Sequence, residues 1–165
     1  MRPGVKVGVV VALFVLAAAV RADEEKVPLD KLPKAVVEAV KKRFPKGEMK
    51  SASKEKEDGK TMYEVSVKEG GKNIDVSLTE AGEITTIEKE IAFKDLPKAV
   101  ADAYEAKYPK ATYKTVEEVI KVKGGKETLE YYEALLVTAD KKTFEVEVTP
   151  DGNVKNVEEK KGKSD

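Results

Sequence analysis

The stretch Leu32-Pro33-Lys34-Ala35-Val36 decides the fold, because it returns 64 residues later as Leu96-Pro97-Lys98-Ala99-Val100. The likeness between the two copies runs without a gap to an aromatic-Pro-Lys sequence, which is Phe44-Pro45-Lys46 in the first copy and Tyr108-Pro109-Lys110 in the second. Later correspondences follow in the same order: Tyr63-Glu64 with Tyr132-Glu133, and Gly82 with Gly152. The chain is therefore one small unit written twice.

Each copy opens with the pattern of a helix. Apolar residues recur every four positions and form one stripe: Leu32, Val36, Val40 and Phe44, then Leu96, Val100, Tyr104 and Tyr108. Pro33 and Pro97 predict the first turns, where the missing amide hydrogen costs nothing. Pro45 and Pro109 predict the ends, since a residue before proline avoids helical angles. Asp95 is expected to cap the second helix.

After each helix the apolar period falls to two, which is typical of strands with one buried face. Tyr63, Val65 and Val67 alternate with polar residues, and the pattern resumes beyond a Gly70-Gly71 turn. Less regular strands are expected at 48–56 and 112–123. Each unit is thus a helix and a four-stranded antiparallel meander. Two units predict an α+β protein with one sheet of about eight strands and both helices on one face.

The first 22 residues have the pattern of a secretory signal peptide. Arg2 and Lys6 supply the positive start, and an uncharged run of 14 residues follows from Val7 to Val20. This run is shorter than the roughly 20 apolar residues that a membrane-spanning helix needs. Cleavage is expected after Ala22, so we predict a periplasmic or secreted protein with no stable membrane insertion after cleavage.

The remaining chain divides at the second copy. We predict the first repeat at residues 23–91, the second at 92–158 and a disordered tail at 159–165. The join between the repeats lacks a Gly- or Ser-rich linker, which favours rigid coupling.

The composition excludes several classes of function. The chain has no cysteine and no histidine, so it lacks disulfides, thiolate metal sites and the usual near-neutral acid–base catalyst. Once Arg2, Lys6 and Arg21 leave with the signal peptide, acidic side chains outnumber basic ones by three, with both signs interspersed. Such a surface does not attract nucleic acid. We therefore expect no nucleic-acid partner, no cofactor and no metal, and we predict that the protein is not an enzyme.

The Leu-Pro helix starts, the aromatic-Pro helix ends, the Tyr-Glu pairs and the turn glycines resemble those of PepSY-like proteins. More narrowly, residues 29–158 resemble the β-lactamase-inhibitor-like, PepSY-like group. The resemblance implies a bacterial protein that is exported and that binds or inhibits other proteins, peptidases among them. The β-lactamase inhibitor itself carries disulfides, and this chain has no cysteine, so the resemblance carries over none of that inhibitor's contact residues.

The two copies differ on the outer face of the third strand. Where the first copy has Met62, Glu64 and Ser66, the second has Tyr131, Glu133 and Leu135. An aromatic and aliphatic patch on an open sheet is a place where a partner can dock. We predict a candidate protein-binding patch of five residues: Tyr131, Leu135, Val137, Tyr113 and Val119.

Two alternatives stay open. The patch could be covered by the tail or by the neighbouring copy. The protein could instead bind a small ligand or a cation through carboxylate-rich loops, in which case the ligand would raise its melting temperature. The paired carboxylates on the strands are interpreted as charged, solvated faces: Glu117-Glu118, Glu88-Glu90, and Glu64 with Glu133.

Overall fold

The structure is a computed structural model, and it describes residues 25–57 and 59–160. The predicted signal peptide and residues 161–165 of the predicted tail lie outside the described residues. Within the described residues, nine strands form a single antiparallel sheet in which each strand hydrogen-bonds to its neighbours along the chain. No helix within the described ranges is both long enough and apolar enough to cross a membrane.

The elements follow the predicted order. The first repeat contains β1 (Glu25–Lys26), α1 (Lys34–Arg43), β2 (Glu48–Glu57), β3 (Lys60–Glu69), β4 (Lys72–Thr79) and β5 (Ile84–Glu90). The second contains α2 (Lys98–Lys107), β6 (Thr112–Lys123), β7 (Lys126–Val137), β8 (Thr143–Val148) and β9 (Val154–Lys160). The α+β fold of two helix-plus-meander repeats is confirmed. It has one strand more than the eight predicted, the two-residue β1, and β9 takes in two residues that were assigned to the tail.

Both helices begin just after the repeated prolines. Pro33 and Pro97 are the N-cap residues, and their carbonyl oxygens accept hydrogen bonds from the amides of Val37 at 3.2 Å and Ala101 at 3.0 Å. Asp95 makes no capping hydrogen bond, because it lies in a short 3-10 turn before Pro97. The predicted cap is therefore wrong, and the prolines mark the two helix starts.

Two hydrophobic clusters lie between the helices and the sheet. The first gathers around Val36 and Val40 of α1, and the second gathers around Val100 and Tyr104 of α2. All four side chains are at most 1% exposed, and burying a side chain of this size stabilises the fold by about 1.5–3 kcal/mol. Ile120 of β6 belongs to the second repeat but packs against the first cluster, so the two cores are joined.

The turn that follows β4 packs against the start of α1, and the second repeat makes the same contact. Gly82 has a φ of +80°, and a Cβ there would lie 2.5 Å from the carbonyl oxygen of Ala35. Gly152 has a φ of +87°, and a Cβ there would lie 2.7 Å from the carbonyl oxygen of Ala99. Only glycine suits both the positive φ and the close approach. The alanine of each repeated pentapeptide thus sits against a glycine of its own repeat.

The two repeats are joined along most of β5. Five register pairs connect β5 to β6, from Thr86 opposite Lys121 to Glu90 opposite Glu117. The guanidinium of Arg43, at the end of α1, also donates two hydrogen bonds to the carboxylate of Glu127 on β7, at 2.8 and 3.1 Å. The sheet therefore passes from one repeat to the next without a break.

Candidate protein-binding face

The candidate site lies on the side of the sheet away from both helices. We call this side, where it is formed by β5, β6, β7 and β8, the open face. Strand pairing fixes which residues share it: Glu117 is opposite Glu133, and Val119 is opposite Tyr131. Both helices pack against the other side of the same strands. Within the described residues, neither helix covers the side chains of the open face.

Four of the five predicted patch residues lie on the open face. Tyr131, Leu135 and Val137 alternate along β7, and all three are half-buried. Val119 lies beside Tyr131 but is only 1% exposed, so it packs within the patch and offers almost no surface to a partner. The ammonium of Lys155 from β9 lies 3.9 Å from the centroid of the Tyr131 ring, at cation–π distance.

Tyr113 lies on the opposite side of the sheet. A β-bulge between Tyr113 and Thr115 inverts the alternation of β6, and Tyr113 pairs in register with Leu136 of the core. Its ring stacks on Phe93 with centroids 4.2 Å apart and meets the edge of Tyr104 at 5.9 Å. The expectation that Tyr113 extends the patch is therefore wrong, because one extra residue turns its side chain toward the helices.

A row of four glutamates crosses the open face through the patch, because Glu133 lies between Tyr131 and Leu135 on β7. Glu90, Glu117, Glu133 and Glu147 are successive register partners on β5, β6, β7 and β8. We call these four residues the glutamate row. Side chains directly opposite one another on a sheet have Cβ atoms about 4.5–5.5 Å apart, and like charges there are destabilising. Fixed strand pairing holds these carboxylates together.

The two inner members of the row hold their protons unusually tightly. Burial, and then repulsion from Glu145 and other carboxylates, raises the pKa of Glu133 to about 8. Burial, and then repulsion from Glu88 and other carboxylates, raises the pKa of Glu117 to about 7. No hydrogen bond or ion pair within residues 25–57 and 59–160 reaches either group. These two glutamates are half-buried rather than fully solvated.

Acidic groups at the margins of the row do have partners. Lys155 lies 3.5 Å from Glu147, and Lys160 lies 2.9 Å from Glu145. At the other end, the amide of Asn73 donates a hydrogen bond of 2.6 Å to Glu90. Positive charge therefore enters the open face from β9 but stops short of the centre of the row.

The corresponding positions of the first repeat carry a different set of side chains. Ser53, Glu64 and Ser77 are successive register partners on β2, β3 and β4, where the second repeat has Glu117, Glu133 and Glu147. The central glutamate is common to both repeats, whereas the two residues beside it are serine in one and glutamate in the other. The glutamate row is thus a feature of the second repeat.

A groove of about 510 Å³ lies in the first repeat, between the start of the described chain and the strands β2 and β3. Its polar lining includes Lys26, Ser51, Ser66 and Glu64. In the part of the chain that the structure describes, no three acidic residues are grouped so as to hold a metal ion. Binding of a small ligand or a cation stays a prediction.

The family described as "Putative beta-lactamase-inhibitor-like, PepSY-like" matches this chain at residues 18–86 and again at residues 61–128. The two matches together span more than half of the sequence, and the chain belongs to this family. The resemblance read from the repeated helix starts and turn glycines is confirmed. None of the curated proteins matches the chain.

Solved structures from Bacteroides species have the same fold. A BLIP-like protein from Bacteroides fragilis is 16% identical with a TM-score of 0.58, and the match covers 79% of this chain and 89% of that one. A DUF2874 family protein from Bacteroides uniformis is 17% identical with a TM-score of 0.63, covering 77% and 88%. A Bacteroides eggerthii protein described as periplasmic is 17% identical with a TM-score of 0.64, covering 77% and 88%.

Proposed function

We propose that this chain is an exported, non-catalytic protein-binding module of the bacterial periplasm, and that the open face is its contact surface. The observation that carries the proposal is the half-buried aromatic and aliphatic patch on β7, which the glutamate row crosses at Glu133. Apolar side chains edged by charged groups are the usual anatomy of a protein–protein interface.

The family and the sequence support the wider parts of this proposal. The family is described as β-lactamase-inhibitor-like, which favours a function in binding over one in catalysis. The predicted signal peptide favours export, as does the description of the Bacteroides eggerthii relative as periplasmic.

The sheet also makes a suitable binding platform. Tyr131, Leu135 and Val137 project from a strand that is hydrogen-bonded on both sides, so their backbone is fixed before any partner arrives. A surface that is already ordered loses little conformational entropy on binding. Tyrosine is a typical anchor of such interfaces, and Tyr131 lies on the same face of β7 as Glu133, two residues away.

The test uses the chain without its signal peptide, in the forms Tyr131→Ala and Leu135→Asp. We expect both variants to lose most of their retention of a partner from periplasmic extract while their melting temperatures stay within a few degrees of the parent. Val157→Asp is the matched control, because Val157 is 37% exposed on the edge strand β9 and lies outside the patch. It should retain the partner normally.

Two results would contradict the proposal. Undiminished retention by both variants would place the contact surface elsewhere. Unfolding of both variants, with Val157→Asp still stable, would mean that the two side chains are needed for folding rather than for contact.

A further inference from the structure

We infer that the open face binds a basic segment of its partner, with a lysine or arginine side chain of that segment seated between Glu117 and Glu133. The inference rests on the proposed protein-binding function and names the chemistry of the partner. It follows from the charge of the face, from how the face already binds lysines of this chain, and from the apolar residues beside the row.

Within the part of the chain that the structure describes, the centre of the row has no positive partner. Glu117 and Glu133 face one another across β6 and β7, and no cation in the described chain reaches them. Adjacent strands are about 4.8 Å apart, so one ammonium or guanidinium group placed between the two carboxylates can contact both. Such a group would relieve the repulsion that adds to burial in raising both pKa values.

The margin of the open face already binds ammonium groups of this chain. Lys155 reaches in from β9 and contacts both Glu147 and the ring of Tyr131. Lys160 reaches in from the same strand to Glu145, and both side chains of that pair are at most 23% exposed. A basic side chain of the partner would make the same kind of contact one strand further from β9, at Glu133 on β7.

The apolar residues favour a lysine or arginine side chain over a bare cation. Leu135 follows Glu133 by two positions on β7, so it lies on the same face, and Val137 follows by two more. A long basic side chain has an apolar stem that packs on such residues while its charged end reaches a carboxylate. A peptide segment can therefore contact both the apolar residues Leu135 and Val137 and the glutamate row.

The comparison of the two repeats supports a specialised surface. The first repeat keeps the central glutamate, Glu64, but has Ser53 and Ser77 where the second has glutamates. A sheet of this fold thus forms without the row, since the first repeat folds around serines at the same positions. The extra carboxylates of the second repeat are then free to serve binding.

The test is a selection from a random library of displayed 12-residue peptides on the chain without its signal peptide. Peptides retained by the parent should be enriched several-fold in lysine and arginine over the starting library. The enrichment should disappear on Glu117→Gln/Glu133→Gln, which preserves the shape of both side chains. It should persist on Glu38→Gln/Glu105→Gln, which removes two exposed carboxylates from the helix side.

The outcomes separate this inference from the proposed function. Retained peptides that are lost on Tyr131→Ala but show no basic enrichment would overturn the inference and leave a protein-binding open face in place. Equal basic enrichment on the parent and on Glu117→Gln/Glu133→Gln would also overturn it. Failure of the parent to retain any peptide would count against both.

Discussion

A β-carbon on Gly82 would lie 2.5 Å from the carbonyl oxygen of Ala35, so the turn after β4 and the first turn of α1 meet with no room for a side chain. We expect Gly82→Ala to cost about 2 kcal/mol or more, because the added methyl group meets backbone atoms at a positive φ. The melting temperature should fall by about 5 °C or more, as measured by calorimetry.

Gly70→Ala is the control for this effect. Gly70 also has a positive φ, of +60°, but a Cβ there would meet no atom within 4 Å. Gly70→Ala should therefore lower the stability only by the backbone strain, about 1 kcal/mol. Equal losses for the two variants would mean that the contact with Ala35 contributes nothing.

The glutamate row makes stability depend on pH. The pKa of Glu133 is raised to about 8 in the folded protein, so the folded state holds a proton that the unfolded state releases near its usual pKa of 4.5. The stability supplied by that proton is present below pH 4.5 and is lost as pH rises toward 8. We expect Glu133→Gln to gain about 1 kcal/mol over the parent at pH 8.5, and little at pH 4.

Urea unfolding at a series of pH values measures this difference. Glu105→Gln on α2 is the matched control, since Glu105 is exposed on the helix side of the sheet and lies outside the glutamate row. Its stability relative to the parent should not change with pH. A constant difference between Glu133→Gln and the parent from pH 4 to pH 8.5 would contradict the raised pKa.

The hydroxyl of Tyr104 links α2 to the sheet. Its Oη lies 3.0 Å from the carbonyl oxygen of Tyr132 and 3.1 Å from that of Val146, and it is the donor to both strands. We expect Tyr104→Phe to cost about 1 kcal/mol, the usual net value of a buried hydrogen bond. Tyr108→Phe serves as control, because the hydroxyl of that half-buried ring makes no hydrogen bond within residues 25–57 and 59–160, and the variant should unfold like the parent.

The ion pair between Arg43 and Glu127 should contribute little, although it spans the two repeats. Both side chains are about 40% exposed, at 43% and 39%. Pairs at the surface typically contribute about 0.2–1 kcal/mol. We expect Arg43→Ala to lower stability by less than about 1 kcal/mol and to leave a single unfolding transition, since β5 and β6 stay paired. Separate melting of the two repeats in calorimetry would show that the ion pair, rather than the sheet, couples them.

The sequence predicts the elements of this fold better than it predicts their faces. Repetition, apolar period and the prolines were enough for both helices, eight strands and their order. The sequence does not show on which face of the sheet Tyr113 lies. Tyr113 is an even number of residues from Glu117 and Val119, which predicts a shared face, and only the bulge between Tyr113 and Thr115 places it on the opposite one. A bulge inserts one residue without a clear signature in the alternation.

The glutamate row could not be predicted from the sequence, for a related reason. Regular pairing outward from the turn at Gly124-Gly125 puts Glu117 opposite Tyr132 rather than Glu133. A second bulge, between Val119 and Ile120, shifts the register by one residue and brings the two glutamates together. Because each strand alternates between faces, a shift of one residue changes every neighbour beyond it. Local patterns identified the strands, whereas the candidate site depends on their register.

Among the nine described strands, the order in the sheet is also the order of the chain, and each strand pairs only with its neighbours along the chain. Each strand consequently depends only on the strands beside it. Another copy of the unit appended after β9 would lengthen the sheet by four strands and leave every existing hydrogen bond in place, as in linear repeat proteins. Such growth lets an old copy keep the scaffold intact while a new copy takes on different surface chemistry.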